Sequence, residues 1–123
     1  MITIPRQGSI IDLTNVLVDH ALDNKATVLL LCWDKFGTRP SRVLMQVGQK
    51  LEAVAIPRSL IKSVMSRIKL MAGLSISDRG NIQQASHVFK TRGSGRVVHA
   101  TAEVVAIPAI ESEPETMVLS FLS

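Results

Sequence analysis

The sequence predicts an α+β domain, with two helices packed on mainly antiparallel sheets in the order α-β-β-β-α-β-β-β. Three observations carry this. Two segments place apolar residues at helical spacing, each is followed by a group of short apolar runs, and short turn-like connections within those groups favour antiparallel hairpins.

Ser9 followed by Asp12 reads as a helix start, and Ile10, Leu13, Val16, Leu17, Ala21 and Leu22 then recur at helical spacing. Residues 9 to 23 are therefore predicted to be an amphipathic helix, broken by Asp23-Asn24-Lys25. Thr27 to Trp33 is too short and too apolar for anything but a buried strand. Asp34 to Pro40, with Gly37 and Pro40, is a loop. Two further strands, Arg42 to Val47 and Leu51 to Ala55, flank Gly48-Gln49, a connection that suits a hairpin.

Pro57 fits the first turn of a second helix, where its missing N–H does no harm. Leu60, Ile61, Val64, Met65, Ile68 and Met71 form its apolar stripe, and Gly73 supplies the stop. Arg58, Lys62 and Lys69 are placed away from that stripe, with Arg67 at its edge, where its stem can lie along apolar surface. After a polar loop from Ser75 to Gln84, His87 to Thr91 and Arg96 to Ala106 read as strands joined at Arg92-Gly93-Ser94-Gly95. The last strand is Thr116 to Leu122. No repeat relates the two halves.

A chain of 123 residues suits one domain with one core, spanning residues 1–123. Cys32 is the one cysteine, so no internal disulfide is available; its apolar setting reads as a buried thiol, and a lone thiol suits a reducing compartment. No signal-peptide pattern opens the chain and no apolar run approaches the length of a bilayer span, so a cytoplasmic location is expected. The net charge of +4 raises a nucleic-acid or anionic-ligand reading, with Arg92 and Arg96 around the glycine turn as its residues. Aromatic residues make up only 3% of the chain, without a tyrosine, which removes the stacking platform that single strands need and favours protein contact instead.

Motifs for chemistry are absent or weak. Nothing matches the glycine-rich phosphate loop with its lysine, and Gly93-Ser94-Gly95 sits between strand patterns rather than opening a helix. Ser59-Leu60-Ile61-Lys62 and Ser66-Arg67-Ile68-Lys69 both have Ser-x-x-Lys spacing, but the companion elements of that chemistry are missing. His20, His87, His99 and Cys32 form no recognised metal-ligand spacing, although His87 and His99 could meet across a hairpin in one register. Glu111, Glu113 and Glu115 read as a proline-flanked acidic loop. No catalytic residue, cofactor or metal site is expected, and the chain reads as a non-enzyme.

Ser66-Arg67-Ile68-Lys69-Leu70-Met71-Ala72-Gly73-Leu74-Ser75-Ile76-Ser77-Asp78-Arg79 resembles the "SRIKxMAGLDIAER" segment of type II secretion and type IV pilus assembly ATPases, in their second N-terminal domain. Ile10 to Ala26 is similar to that family's "IVDLVNxLLxxAIxxGAS" helix, and Val104 to Leu122 to its "VSTLPTxxGERVVLRLL" ending. The resemblance implies a non-catalytic domain ahead of a RecA-like motor in a hexameric ATPase, docking on the motor of a neighbouring subunit. Its partners would be that motor domain or another secretion or pilus protein, with a further copy of the chain as another candidate. Arg58, Lys62, Arg67 and Lys69 on the second helix are the expected contact residues. In the family, arginines from "PQDGR" and "VDVRVST" reach toward the nucleotide. Here the first falls on Ser86, or on His87 with a shift of one, and the second on Glu103, whose carboxylate would repel a triphosphate. The polar "SDIHxEP" strand is likewise replaced by Ala26-Thr27-Val28-Leu29-Leu30-Leu31.

Overall fold

The computed structural model describes residues 2–3, 10–34, 41–76, 80–93, 96–109 and 114–122; for 2–3, 91–93 and 96–98 it describes the backbone alone. Helix α1 spans Ile10–Asp23, and Leu13, Leu17, Val18 and Ala21 make its buried arc. Val16, expected in the apolar stripe, is exposed, because the 13-17-21 row and Val18 beside it turn the opposite shoulder to the core. The proposed cap Ser9 lies outside the described residues. Helix α2 spans Arg58–Met71 and buries Ile61, Val64, Met65 and Ile68 at the predicted positions, each side chain stabilising by about 1.5–3 kcal/mol. Lys69 joins them in the interior, contrary to its predicted place on the polar side.

Both helices end the same way. Leu74 N–H bonds to the Lys69 carbonyl at 2.8 Å and Gly73 N–H to that of Leu70 at 3.2 Å, a Schellman closure in which Gly73 takes φ +76°. In α1, Ala26 N–H bonds to Ala21 at 2.9 Å and Lys25 N–H to Leu22 at 3.0 Å, with Lys25 at φ +56° in the place glycine normally holds.

The strands are β1 (Ile2–Thr3), β2 (Val28–Trp33), β3 (Arg42–Val47), β4 (Lys50–Ala55), β5 (Gln83–Gly93), β6 (Arg96–Ile107) and β7 (Glu115–Phe121). Gly48, at φ +61°, opens the two-residue turn between β3 and β4, as the hairpin reading requires. The two groups of three strands join in one open sheet of order β1-β4-β3-β2-β7-β6-β5, because β7 pairs with β2. All neighbours are antiparallel except the short β1, which runs parallel to β4 and was not legible in the sequence. Strand β5 begins at Gln83, four residues before the predicted start. An edge strand needs only one partner, and Gln83 to Ser86 pair fully with β6 while leaving polar side chains in solvent.

Alternation sorts the sheet into two faces. Leu29, Leu31, Val43, Met45, Val54, Phe89, Ala102, Val104, Met117 and Leu119 point inward and form one core cluster with the helices. Cys32 has the opposite parity. It is partly exposed on the outer face, 3.9 Å from Thr116 Oγ1, rather than buried as expected.

Candidate partner-binding surface

Positions 58, 62 and 69 lie four and then seven residues apart, which on a helix is one face. That face of α2 meets the ends of two neighbouring strands, where Trp33 of β2 is registered opposite Glu115 of β7. The Arg58 guanidinium donates to the backbone carbonyl of Asp34 and sits 5.6 Å from the centre of the Trp33 ring. Lys62 Nζ lies 5.5 Å from the same ring and donates to both Glu115 oxygens, at 2.9 and 2.6 Å. Lys69 Nζ, two turns further on, reaches Glu115 Oε1 at 3.2 Å.

One carboxylate therefore ties two lysines of the helix to the middle of the sheet. Burial of Glu115 works to raise its pKa, but the hydrogen bond from Lys62 and the charges of Lys62 and Lys69 outweigh it, leaving the group below its ordinary value. The acidic-loop reading is corrected for Glu115, which is a buried first residue of a strand; Glu111 and Glu113 lie outside the described residues. The seven-residue interval between Lys62 and Lys69 was the available signal for a shared partner. The sequence offered no means of choosing which acid it was.

Arg67 has a different setting. It is partly buried, and its Nε, together with Asp19 Oδ1, is a buried side-chain polar atom with no hydrogen-bond partner among the described residues. Leu70, one turn along, is 55% exposed, as are Ile76 at 43% and Ile82 at 66%, so apolar surface collects near the end of α2. Gln83 holds that region together by a two-way bond with the Ser75 backbone, accepting from its N–H at 2.7 Å and donating to its carbonyl at 2.8 Å.

The two positions at which the resemblance would place arginines face each other across β5 and β6. Ser86 is registered opposite Glu103 on the outer face, and its hydroxyl donates to that carboxylate, with Gln84 Nε2 at 3.5 Å. His87 and His99 do not meet. His87 is registered with Ala102 and lies edge-on to Phe89 at 4.7 Å, whereas His99 is registered with Lys90 and has the opposite parity. Burial lowers the pKa of His87. The side chains of Arg92 and Arg96, the anionic-ligand candidates, lie outside the described part. Among the described residues no His, Cys, Asp and Glu cluster could hold a metal, and no helix is long and apolar enough to cross a membrane.

The class this defines is an α+β domain in which one antiparallel sheet carries both helices on a single face. The same fold occurs within solved ATPases named DotB. That of Yersinia pseudotuberculosis superimposes with a TM-score of 0.63 at 16% identity, over 98% of this chain and 32% of the ATPase. That of Legionella pneumophila gives 0.57 at 11% identity, over 98% and 32%. The chain thus spans about a third of the length of these enzymes. No protein-family model matches the sequence, and no curated protein does.

Proposed function

We propose that the chain is a non-catalytic protein-interaction domain of, or related to, a type II secretion or type IV pilus assembly ATPase, acting in the cytoplasm by docking on a motor domain or a partner protein of that machinery. The observation that carries this reading is the shared fold with a third of an ATPase chain, found with almost complete coverage of this one. The segment that most resembles the secretion ATPases, beginning at Ser66, also carries Arg67 with its unmet Nε and the exposed Leu70 and Ile76. An arginine whose Nε meets no acceptor among the described residues, close to exposed apolar side chains, suits a protein surface that supplies a carboxylate or backbone carbonyl to the guanidinium.

In this reading Arg67 is the leading contact. Arg58 and Lys62 lie on the other side of α2, against Trp33 and Glu115, as secondary contacts, and Lys69 holds the helix in place through Glu115. The test is the affinity of the Arg67→Glu variant for the cognate motor domain, measured by calorimetry beside a Lys50→Glu control. A loss of about tenfold or more with an unchanged melting temperature is expected, since reversing a central contact charge leaves its acceptor opposed. Equal affinities for Arg67→Glu and the parent chain would refute the docking role.

A further inference from the structure

The outer face of the sheet is the part of the molecule that neither helix covers. A sheet with one solvated face ordinarily alternates apolar and polar residues, so that its outward positions are polar. Here the outward row Ala53-Leu44-Leu30-Val118-Val105 runs across five registered strands without a polar side chain. Ala53 is exposed, and Leu44, Leu30, Val118 and Val105 are half-buried. Such a continuous apolar band is uncommon on an isolated soluble domain and marks a contact surface.

Charge at its margin says what fits there. Arg42 stands one row to one side, registered with Cys32, and Glu103 one row to the other, registered with Ser120 and through it with Val28. The centre of the band lies between β2 and β7. From that centre Arg42 is displaced by one and a half strand spacings and two residues, about 7 Å each way, and Glu103 by the same amounts in the opposite directions. The two charges are thus related by a half-turn about the middle of the apolar band. Glu103 accepts from Ser86 and Gln84, and a carboxylate has lone pairs to spare for an arginine.

We infer that this face pairs with the same face of a second copy of the chain. A twofold axis lying in the plane of the sheet, across the line from Arg42 to Glu103, crosses the two apolar bands at their centres, so that Leu30 and Val118 of one copy meet Leu30 and Val118 of the other. It sets Arg42 over Glu103 of the second copy, and Glu103 over the second copy's Arg42. The strands of the two sheets then cross at nearly a right angle, one of the two established ways for sheets to pack. The contact is isologous, so it closes at two copies. It is independent of the docking role assigned to α2, which lies on the other side of the sheet.

Sedimentation velocity over a concentration series tests this on the full chain. The parent chain should form a dimer, and Arg42→Glu or Glu103→Arg alone should weaken it about tenfold or more by placing like charges at both contacts. Mixing the two single variants should restore dimers as a heterodimer in which both contacts are again opposite in sign, and R42E/E103R in one chain should restore the homodimer. Circular dichroism and melting of each variant separate folding from association. A chain that stays monomeric at all concentrations, a dimer indifferent to both reversals, or a mixture that fails to recover would each overturn the inference.

Discussion

At the scale of single residues, Glu115 decides how α2 sits. Its side chain is 12% exposed, that of Lys69 6% and that of Lys62 41%, so the three members are unequally desolvated. Removing the carboxylate strands Lys69 as a buried charge without a counter-ion. Glu115→Gln should therefore cost about 2–4 kcal/mol of stability at neutral pH, whereas Lys62→Met should cost no more than about 1 kcal/mol because that lysine is half in solvent. Urea denaturation of both variants checks the order. The sign with pH follows from the direction of the shift. The folded pKa lies below the ordinary 4.5, so the stabilisation is complete above 4.5 and is lost as pH falls through the folded value. The gap in stability between the parent chain and Glu115→Gln should close over that acid range, and a gap that persists unchanged there would exclude the linkage.

At the scale of elements, the two helix ends use the same closure with different residues. Gly73 adopts its positive φ without a Cβ penalty, while Lys25 pays one at φ +56°. Lys25 is exposed at that position. Lys25→Gly should therefore stabilise the domain by about 0.5–1 kcal/mol, read as a higher melting temperature. Destabilisation would show that the lysine side chain has a role beyond its backbone. The elements themselves were legible where periodicity was strong: α1, α2, the β3–β4 hairpin and the last strand lie within a few residues of their predicted bounds. Strand β5 was read short because Gln83, Gln84 and Ser86 look like loop residues, and an edge strand tolerates polarity that an interior strand does not. Lys69 was misplaced for a related reason, since a lysine on a helix reads as solvated until the element packed against it is known.

At the scale of the whole molecule, α2 and the outer face lie on opposite sides of one sheet. The two surfaces should therefore act separately. Arg42→Glu is expected to leave the proposed motor-domain docking unchanged, and Arg67→Glu the proposed self-association, as judged by calorimetry and sedimentation on the same preparations. Cross-effects in both directions would mean that one partner spans the sheet edge. The positions expected to hold arginines are also joined at this scale. Ser86 and Glu103 are 17 residues apart in the chain and adjacent in space, so both positions fall on one place.

Apart from the short β1, the amino-acid order by itself determined the kinds of element, their sequence along the chain, the inward-facing apolar stripe of α2 and the glycine that ends it. These depend on local periodicity and turn chemistry, which act over a few residues. Only the tertiary structure decided that β7 enters beside β2 to make one sheet, that Glu115 is the counter-ion of Lys62 and Lys69, and that Arg42 and Glu103 flank an apolar band that neither helix covers. Each of these joins residues separated by tens of positions, and periodicity within a segment carries no information about which distant segment will lie against it.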